Sequence, residues 1–344
     1  MRSASELQDI VDRYHLPSHM RASLTGQYER DGYVVVPHLI PPELLDPLSL
    51  AADRVTDRAR SGGWSQVRVV GKQFPPWVAG DDVWGVQNLM HPDLGEGVFA
   101  EWYGSEGMLE VSAALMGCRV EDMQFGTSTA RYDAISQSSS EPVTSFKVIL
   151  MLLSDGGSWL TPTHLELFNL LVNPLEKTYA LSWHRDDIKP TVSPSEESEA
   201  LGIKHHGIQW NAALYDDECL SAVPGSHRRV RTPAEREANL SGGAMPGGKA
   251  LELKKGETVF YNNNILHVGK YNPLIKRRTL HGCYGSPPPG DTARARNILQ
   301  HDLSYATDPA FRKGLPERLR PMLDRLNGMQ REMEGREVGY SQDL

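Results

Sequence analysis

The stretch Trp183-His184-Arg185-Asp186-Asp187 holds residue types that could do metal chemistry. On a strand, side chains two apart share a face, so His184 and Asp186 point the same way. A neutral imidazole and a carboxylate on one face supply two ligands of a 2-His-1-carboxylate triad. That arrangement leaves coordination positions open and suits non-haem Fe(II). An H-x-D on its own also describes a surface histidine beside an acidic turn. The third ligand has to come from a distant strand. His267, in Asn264-Ile265-Leu266-His267-Val268-Gly269, is the best candidate, although a lone strand-end histidine is more often a surface residue. Eleven residues later stands Arg278, at the head of a strand-like run. An inward arginine is costly unless paired. Its guanidinium fork matches a carboxylate, so it could hold the far end of a dicarboxylic cosubstrate. Arg277 and Arg278 point to opposite faces, so only one of them can face the interior.

The elements that must position these residues read as a strand-rich second half. The pattern predicts strands over 145–153, 168–172, 179–184, 208–214, 258–261 and 278–284, separated by turns and polar loops. The acidic stretch 188–203 and the glycine-rich stretch 241–249 read as loops, not linkers, because strands resume after each. Ahead of them come helical pieces in residues 1–30, carried by Leu7, Ile10, Val11 and Tyr14. A strand at 33–36 follows, then a helix opened by Pro41-Pro42 and a helix over 108–116 ended by Gly117. Residues 61–107 are irregular and carry Trp64, Trp77, Trp84 and Trp102, which suggests a lid folded over the mouth of the strand domain. Residues 315–342 read as a charged helix with Leu319, Met322, Leu323, Leu326 and Met329 on one stripe.

Composition bounds the answer. The chain has 344 residues, 39% hydrophobic and 23% charged, which is globular composition. Its 31 glycines and 23 prolines suit many short strands joined by turns rather than a helical bundle. A net charge of −8 argues against an extended nucleic-acid surface. Three cysteines are too few and too scattered for a disulfide framework or a thiolate zinc site. No apolar run approaches the roughly 20 residues of a membrane span, and the N-terminus lacks an apolar secretory core. The expectation is a cytoplasmic protein, monomer or homodimer, acting on a small molecule. There is no H-E-x-x-H, no G-x-S-x-G and no phosphate loop.

Several residues together carry a family resemblance. They are Tyr28…Asp31-Gly32-Tyr33-Val34-Val35-Val36 with Pro42-Glu43-Leu44; Trp183-His184-Arg185-Asp186; Ala213-Leu214-Tyr215-Asp216 running to Val223-Pro224-Gly225-Ser226-His227; and His267 with Asn272 and Arg278. The chain resembles the phytanoyl-CoA dioxygenase family of Fe(II)/2-oxoglutarate-dependent oxygenases over about residues 25–300. The resemblance implies a mainly β fold with flanking helices (α+β), a double-stranded β-helix or cupin-like jelly roll. It implies one catalytic domain over 1–344, with N-terminal helices and lid to 120, a jelly-roll core over 121–300 and a C-terminal helical extension over 301–344. His184, Asp186 and His267 would be the metal ligands and catalytic residues. Arg278 would bind the C5 carboxylate of 2-oxoglutarate, with O2 as cosubstrate and succinate and CO2 as products. Ser182, which shares a face with His184, and Asn169, on the preceding strand, are further candidates near 2-oxoglutarate.

Asp186 favours hydroxylation, desaturation or a related C–H oxidation over halogenation, because halogenating members of the superfamily lack the carboxylate ligand. The aromatic lid favours a natural-product or lipid-like substrate, as in secondary metabolism. Two rivals stand beside this reading. One is a non-catalytic jelly-roll partner of an active homologue; the other is a hydrolase or isomerase using Zn or Mn in the same barrel. His205-His206, His164 and His91 are weaker metal candidates, His227 reads as structural, His281 as facing oppositely to Arg278 on the same strand, and Asp187 as a turn residue or one packed behind the ligands. Arg131 and Lys147 read as surface residues, while Trp183 and Trp210 default to core packing, Trp210 with a lesser substrate-facing option.

Overall fold

The structure is a computed structural model that describes residues 17–70, 82–125, 168–186, 188–202, 207–286 and 304–332. Helix α1 (Ser18–Asp31) ends at Gly32, whose φ of 80° is open to glycine. A Cβ there would also strike the His227 ring, so the V-P-G-S-H turn packs directly on this corner. Strand β1 (Tyr33–Val36) follows. Pro42 opens α2 (Pro42–Arg60), where its missing N–H leaves no bond unmade. Leu44, Leu48, Ala51, Ala52, Val55 and Ala59 bury one face of that helix. Strands β2 (Val67–Val69) and β3 (Val83–Val86), helices α3 (Gly97–Tyr103) and α4 (Glu106–Met116), and strand β4 (Gln124–Phe125) come next.

The second half begins with β5 (Phe168–Val172), β6 (Tyr179–Ala180) and helix α5 (Pro194–Gly202). Strands β7 (Gly207–Ala213) and β8 (Leu220–Ala222) lead to helix α6 (Pro233–Ser241). Strands β9 (Lys249–Ala250), β10 (Thr258–Tyr261), β11 (His267–Tyr271) and β12 (Arg278–Gly285) close the series. Helices α7 (Pro309–Gly314) and α8 (Arg320–Glu332) follow.

Two antiparallel sheets result. The larger runs β1-β10-β7-β12-β5-β3-β2, with β4 beside β12; the smaller runs β6-β11-β8-β9. From β5 to β12 the chain alternates between the sheets at every step except β8 to β9, which is the winding of a double-stranded β-helix. The strands form two layers rather than a closed barrel. The strand period of two gives the larger sheet two distinct faces. Phe168, Leu170, Trp210, Phe260, Leu280 and Tyr284 pack outward against the helices, in one cluster with Leu44 and Leu48 of α2. Tyr33, Ala213, Val259 and Tyr261 face inward and meet Leu220 and Ala222 of the smaller sheet. Gly282 makes the outer packing possible, because a Cβ there would lie 2.6 Å from the Trp210 ring.

Several expectations change against this frame. Residues 61–107 are not simply a lid: β2 and β3 extend the larger sheet, and Trp102 is fully buried against Phe168 and Trp210. Trp84 is also fully buried, on the inner side with Tyr179 and Tyr271. The loop expected over 188–203 contains α5, whose Glu197 is wholly buried. The strand expected over 179–184 is regular only at Tyr179–Ala180 and resumes as a single bridge at His184. In the C-terminal helix Leu319, Met322, Leu323 and Leu326 are buried, as their stripe requires. The helical pieces at Leu7–Tyr14, the strand at 145–153, Trp77, Arg131, Lys147, His164, Asp187, His205, His206 and the helix beyond 332 lie outside the described residues, as does the Met329 side chain.

Candidate metal centre

His184 and His267 are direct cross-strand neighbours. Each backbone N–H donates to the other's carbonyl at 3.0 Å, the bonded pairing of an antiparallel ladder. Their ring centroids therefore lie 4.3 Å apart. His184 Nδ1 is 2.7 Å from the Ser182 carbonyl and His267 Nδ1 is 2.9 Å from the Ile265 carbonyl. A carbonyl can only accept, so both Nδ1 atoms carry the proton and both Nε2 lone pairs are left for a metal. The Asp186 N–H donates to the Asn263 carbonyl at 3.0 Å, which seats its carboxylate beside both rings. Asp186 Oδ1 is 3.5 Å from His184 Nε2 and 3.8 Å from His267 Nε2. One donor atom from each of the three residues falls within 4.8 Å of the others. Two imidazoles and one carboxylate on one side of a would-be ion fit the facial geometry of a non-haem Fe(II) site.

The electrostatics suit ligands rather than a surface cluster. Burial opposes ionisation of Asp186, but His267, His184 and the Gln209 amide outweigh it and hold the carboxyl well below its ordinary range. Burial, reinforced by His184, pulls His267 down to about 4, which keeps it neutral. Burial also works against the proton on His184, yet Asp186 more than offsets it and the value rises. Gln209 of β7 donates to Asp186 Oδ2, and Tyr261 in turn donates to Gln209 Oε1 at 3.3 Å. The second carboxylate oxygen is thus turned away, leaving Oδ1 toward the histidines.

Behind the centre, Arg185 binds the surrounding loops together. Its Nη1 donates to the carbonyls of Ser226, at 2.9 Å, and Asn264, and its Nη2 to that of Arg229 at 2.9 Å. Its Nε donates to Glu197 Oε1 at 2.9 Å. Glu197 also accepts from Arg231 Nη1 at 2.6 Å and from Arg236. The residue between the two motif ligands therefore ties α5, the V-P-G-S-H turn and the β10–β11 turn to one buried carboxylate. Asn239 of α6 adds a bond to the Trp183 carbonyl at 2.5 Å.

The two arginines at the start of β12 do opposite things. Arg278 faces the helices: its Nε donates to Asp53 of α2 at 2.9 Å, and its Nη1 to the Arg277 carbonyl at 2.8 Å. Arg277 faces the interior with Thr279, stacks 4.9 Å over the Tyr271 ring and donates from Nε to Asp217 at 2.9 Å. Thr279 donates its hydroxyl to the same Asp217 oxygen. Arg277 Nη1 is buried and has no hydrogen-bond partner. An unpaired buried donor costs about 1–3 kcal/mol, a cost that an acceptor brought to this face would relieve. Arg278, expected to hold the cosubstrate's carboxylate, points to the helix side of the sheet and is bonded to Asp53 there.

Ser182 contributes its carbonyl to His184 while its side chain is exposed. Asn169 lies on the inner face opposite His281 and accepts from the Asn88 N–H at 3.4 Å. His281 shares that face with Arg277, and its Nδ1 is 2.8 Å from Asn211 Oδ1. Trp210 is on the helix-packed face, away from any substrate. His91 caps a short helical turn through a bond from the Asp93 N–H. Sequence reasoning missed Gln209, Asp217, Thr279, Arg277's inward role and Glu197. The only available signal was the one-residue parity on β12, which Arg277-x-Thr279 also satisfies.

The family model described as Phytanoyl-CoA dioxygenase matches residues 28–273. No curated protein matches the chain. Among solved structures, AviO1 from Streptomyces viridochromogenes Tue57 is similar at 17% identity, covering 80% of this chain and 100% of its own, with a TM-score of 0.49. EctD from S. alaskensis, with 2-oxoglutarate and 5-hydroxyectoine, is similar at 15% identity, covering 81% of each chain, with a TM-score of 0.49. The non-heme alpha ketoglutarate dependent epimerase SnoN from nogalamycin biosynthesis shows 14% identity, covering 78% of this chain and 84% of its own, with a TM-score of 0.44. Among the described residues no helix is long and apolar enough to cross a membrane.

Proposed function

We infer the function from one premise: the chain belongs to the phytanoyl-CoA dioxygenase family. The reading is an Fe(II)/2-oxoglutarate-dependent oxygenase that oxidises a C–H bond of a small organic substrate. The observation that carries it is the convergence of His184, Asp186 and His267 within 4.8 Å. These three residues would hold Fe(II), and Arg277 would take the distal carboxylate of 2-oxoglutarate through its open Nη1. When bound, the iron and its cosubstrate supply the oxidising chemistry, with 2-oxoglutarate leaving as succinate and CO2.

The chain's own contribution is positioning. The two Nδ1 protons, anchored on backbone carbonyls, keep both Nε2 atoms aimed at the ion. Gln209 fixes which oxygen of Asp186 is a ligand. His281, Asn211, Asn169, Thr279 and Arg277 line the inner face of the larger sheet, so polar groups meet a polar cosubstrate there. Tyr179, Tyr271 and Trp84 add an aromatic wall on the same side, which suits an apolar portion of the substrate. The intact ligand set disfavours a non-catalytic partner role.

The test is succinate formation with Fe(II), 2-oxoglutarate and a panel of small organic substrates. Asp186→Ala is expected to remove turnover while the chain stays folded. An intact Asp186→Ala protein that kept full turnover would sink the ligand assignment.

A further inference from the structure

The Arg277 clamp already holds a carboxylate of the chain's own. Asp217 lies between β7 and β8, and its backbone is fixed to Leu253 by a pair of hydrogen bonds at 2.9 and 2.8 Å. Its Oδ1 accepts from the Cys219 N–H at 2.8 Å. Its Oδ2 accepts from Arg277 Nε at 2.9 Å and from the Thr279 hydroxyl. Both Asp217 and Arg277 side chains are 6% exposed, so water screens the pair little. Burial opposes charge on both groups, yet each holds the other ionised: Asp217 is shifted down and Arg277 up.

The arrangement has a consequence for charge. A bare guanidinium offers a cosubstrate carboxylate a full positive charge and two parallel donors. Here the charge is neutralised and Nε is occupied. The Thr279 hydroxyl, two residues along the same face, is occupied by the same oxygen. Nη1 is left as an open donor on a pair that is electrically neutral.

We propose that Asp217 is an internal competitor for the cosubstrate's distal carboxylate and that it sets a deliberately weak grip on 2-oxo diacids. The inference rests on the reading that 2-oxoglutarate is the cosubstrate and that Arg277 receives it. Asp217→Asn can keep its oxygen toward Arg277 and Thr279; it removes the competing charge and also gives up the acceptor for the Cys219 N–H. The clamp then becomes a net cation.

The experiment is binding of 2-oxoglutarate to the Zn(II)-loaded full chain by calorimetry, with 2-oxohexanoate, which has no distal carboxylate, as the control. Asp217→Asn is expected to tighten 2-oxoglutarate about tenfold, a change worth about 1.4 kcal/mol, and to leave 2-oxohexanoate unmoved. An unchanged or weaker affinity for 2-oxoglutarate in a folded Asp217→Asn protein overturns the proposal. It would assign Asp217 to positioning Arg277 instead. Should that variant not fold, the wild type decides: it is expected to prefer 2-oxoglutarate over 2-oxohexanoate by less than about tenfold, and a larger preference overturns the idea. Arg277→Met separates the two inferences. If it binds 2-oxoglutarate as well as wild type, the placement of the cosubstrate is wrong. If it loses binding while Asp217→Asn shows no gain, only the competition is wrong.

Discussion

The protein buries two arginine–carboxylate systems, and they differ in which arginine keeps an open donor. Around Glu197, the Arg185 guanidinium meets three carbonyls and the carboxylate meets three arginines. Around Asp217, the carboxylate is satisfied but Arg277 Nη1 is left open, whereas the open donor of the Glu197 system, Arg236 Nε, belongs to the outermost of its three arginines. A network whose two innermost arginines, Arg185 and Arg231, have every guanidinium nitrogen bonded holds backbone in place and has little to offer a ligand. One whose innermost arginine keeps an open buried donor carries a cost of about 1–3 kcal/mol that a ligand can relieve. The first therefore reads as scaffold for the metal ligands, and the second as a place for binding.

The sharpest way to break this comparison is to neutralise Glu197. Glu197→Gln leaves Arg185, Arg231 and Arg236 without the carboxylate they share, with Glu235 as the remaining nearby negative charge. Removing one partner of a buried ion pair costs about 3–5 kcal/mol. The expected outcome in urea denaturation is a loss of that size, with weaker metal retention in the folded fraction. A loss below about 1 kcal/mol would mean that the cluster is not the scaffold. Arg236→Met in the Glu197→Gln background removes one stranded charge and should recover part of the stability.

Arg277 is expected to behave differently. Arg277→Met removes one hydrogen bond donated by an electrically neutral pair, worth about 1 kcal/mol, which corresponds to an about fivefold weaker 2-oxoglutarate affinity. Metal binding should stay close to wild type. An effect on metal affinity as large as the effect on 2-oxoglutarate would erase the distinction between the two regions.

His281, on the same inner face, tests whether that region is kept free of extra positive charge. Burial comes first and Arg68 second in pulling its imidazole down to about 3, so it stays neutral in the folded chain. An unfolded histidine takes its proton near pH 6.5. Below that pH the unfolded state binds more protons, so stability falls as pH falls from 6.5 toward 3, by at most about 1.4 kcal/mol per pH unit from this group. His281→Gln should flatten the stability slope between pH 6 and pH 5 relative to wild type. An identical slope in the two proteins would show that His281 does not stay neutral in the fold.

How legible the site was follows from where each signal is stored. His184 and Asp186 were readable because their relation is local: two residues apart in extended chain means one face. His267 was readable because the family's turn and strand order surround it. The fold followed from many short apolar runs separated by turns, which the two-sheet winding requires. Arg277 was not readable, because choosing between it and Arg278 depends on a single residue in the turn between β11 and β12, and a slip of one reverses every side chain. The same parity puts His281 on the inward face, opposite to Arg278 as the strand alternation requires. Glu197 was hidden by its surroundings, since an acidic stretch such as Ser195-Glu196-Glu197-Ser198-Glu199 normally means solvent. Only its burial among Arg185 of the segment after β6, Arg231 of the loop after β8 and Arg236 of α6 shows otherwise.

The smallest effect is the one that makes the parity visible. Arg278 differs from Arg277 by one position, yet its guanidinium meets Asp53, which is about one-third exposed, on the helix side of the sheet. A partly solvated pair of this kind contributes up to about 1 kcal/mol. Arg278→Met keeps the length and apolar stem that pack against α2, so it should cost no more than that in urea denaturation. Its 2-oxoglutarate affinity should stay within about twofold of wild type, against the about fivefold loss expected of Arg277→Met. If the two variants exchanged these outcomes, the strand would have to be read one residue out of register. The inward face would then be Arg278, Leu280 and Gly282, a set with no partner for Asp217.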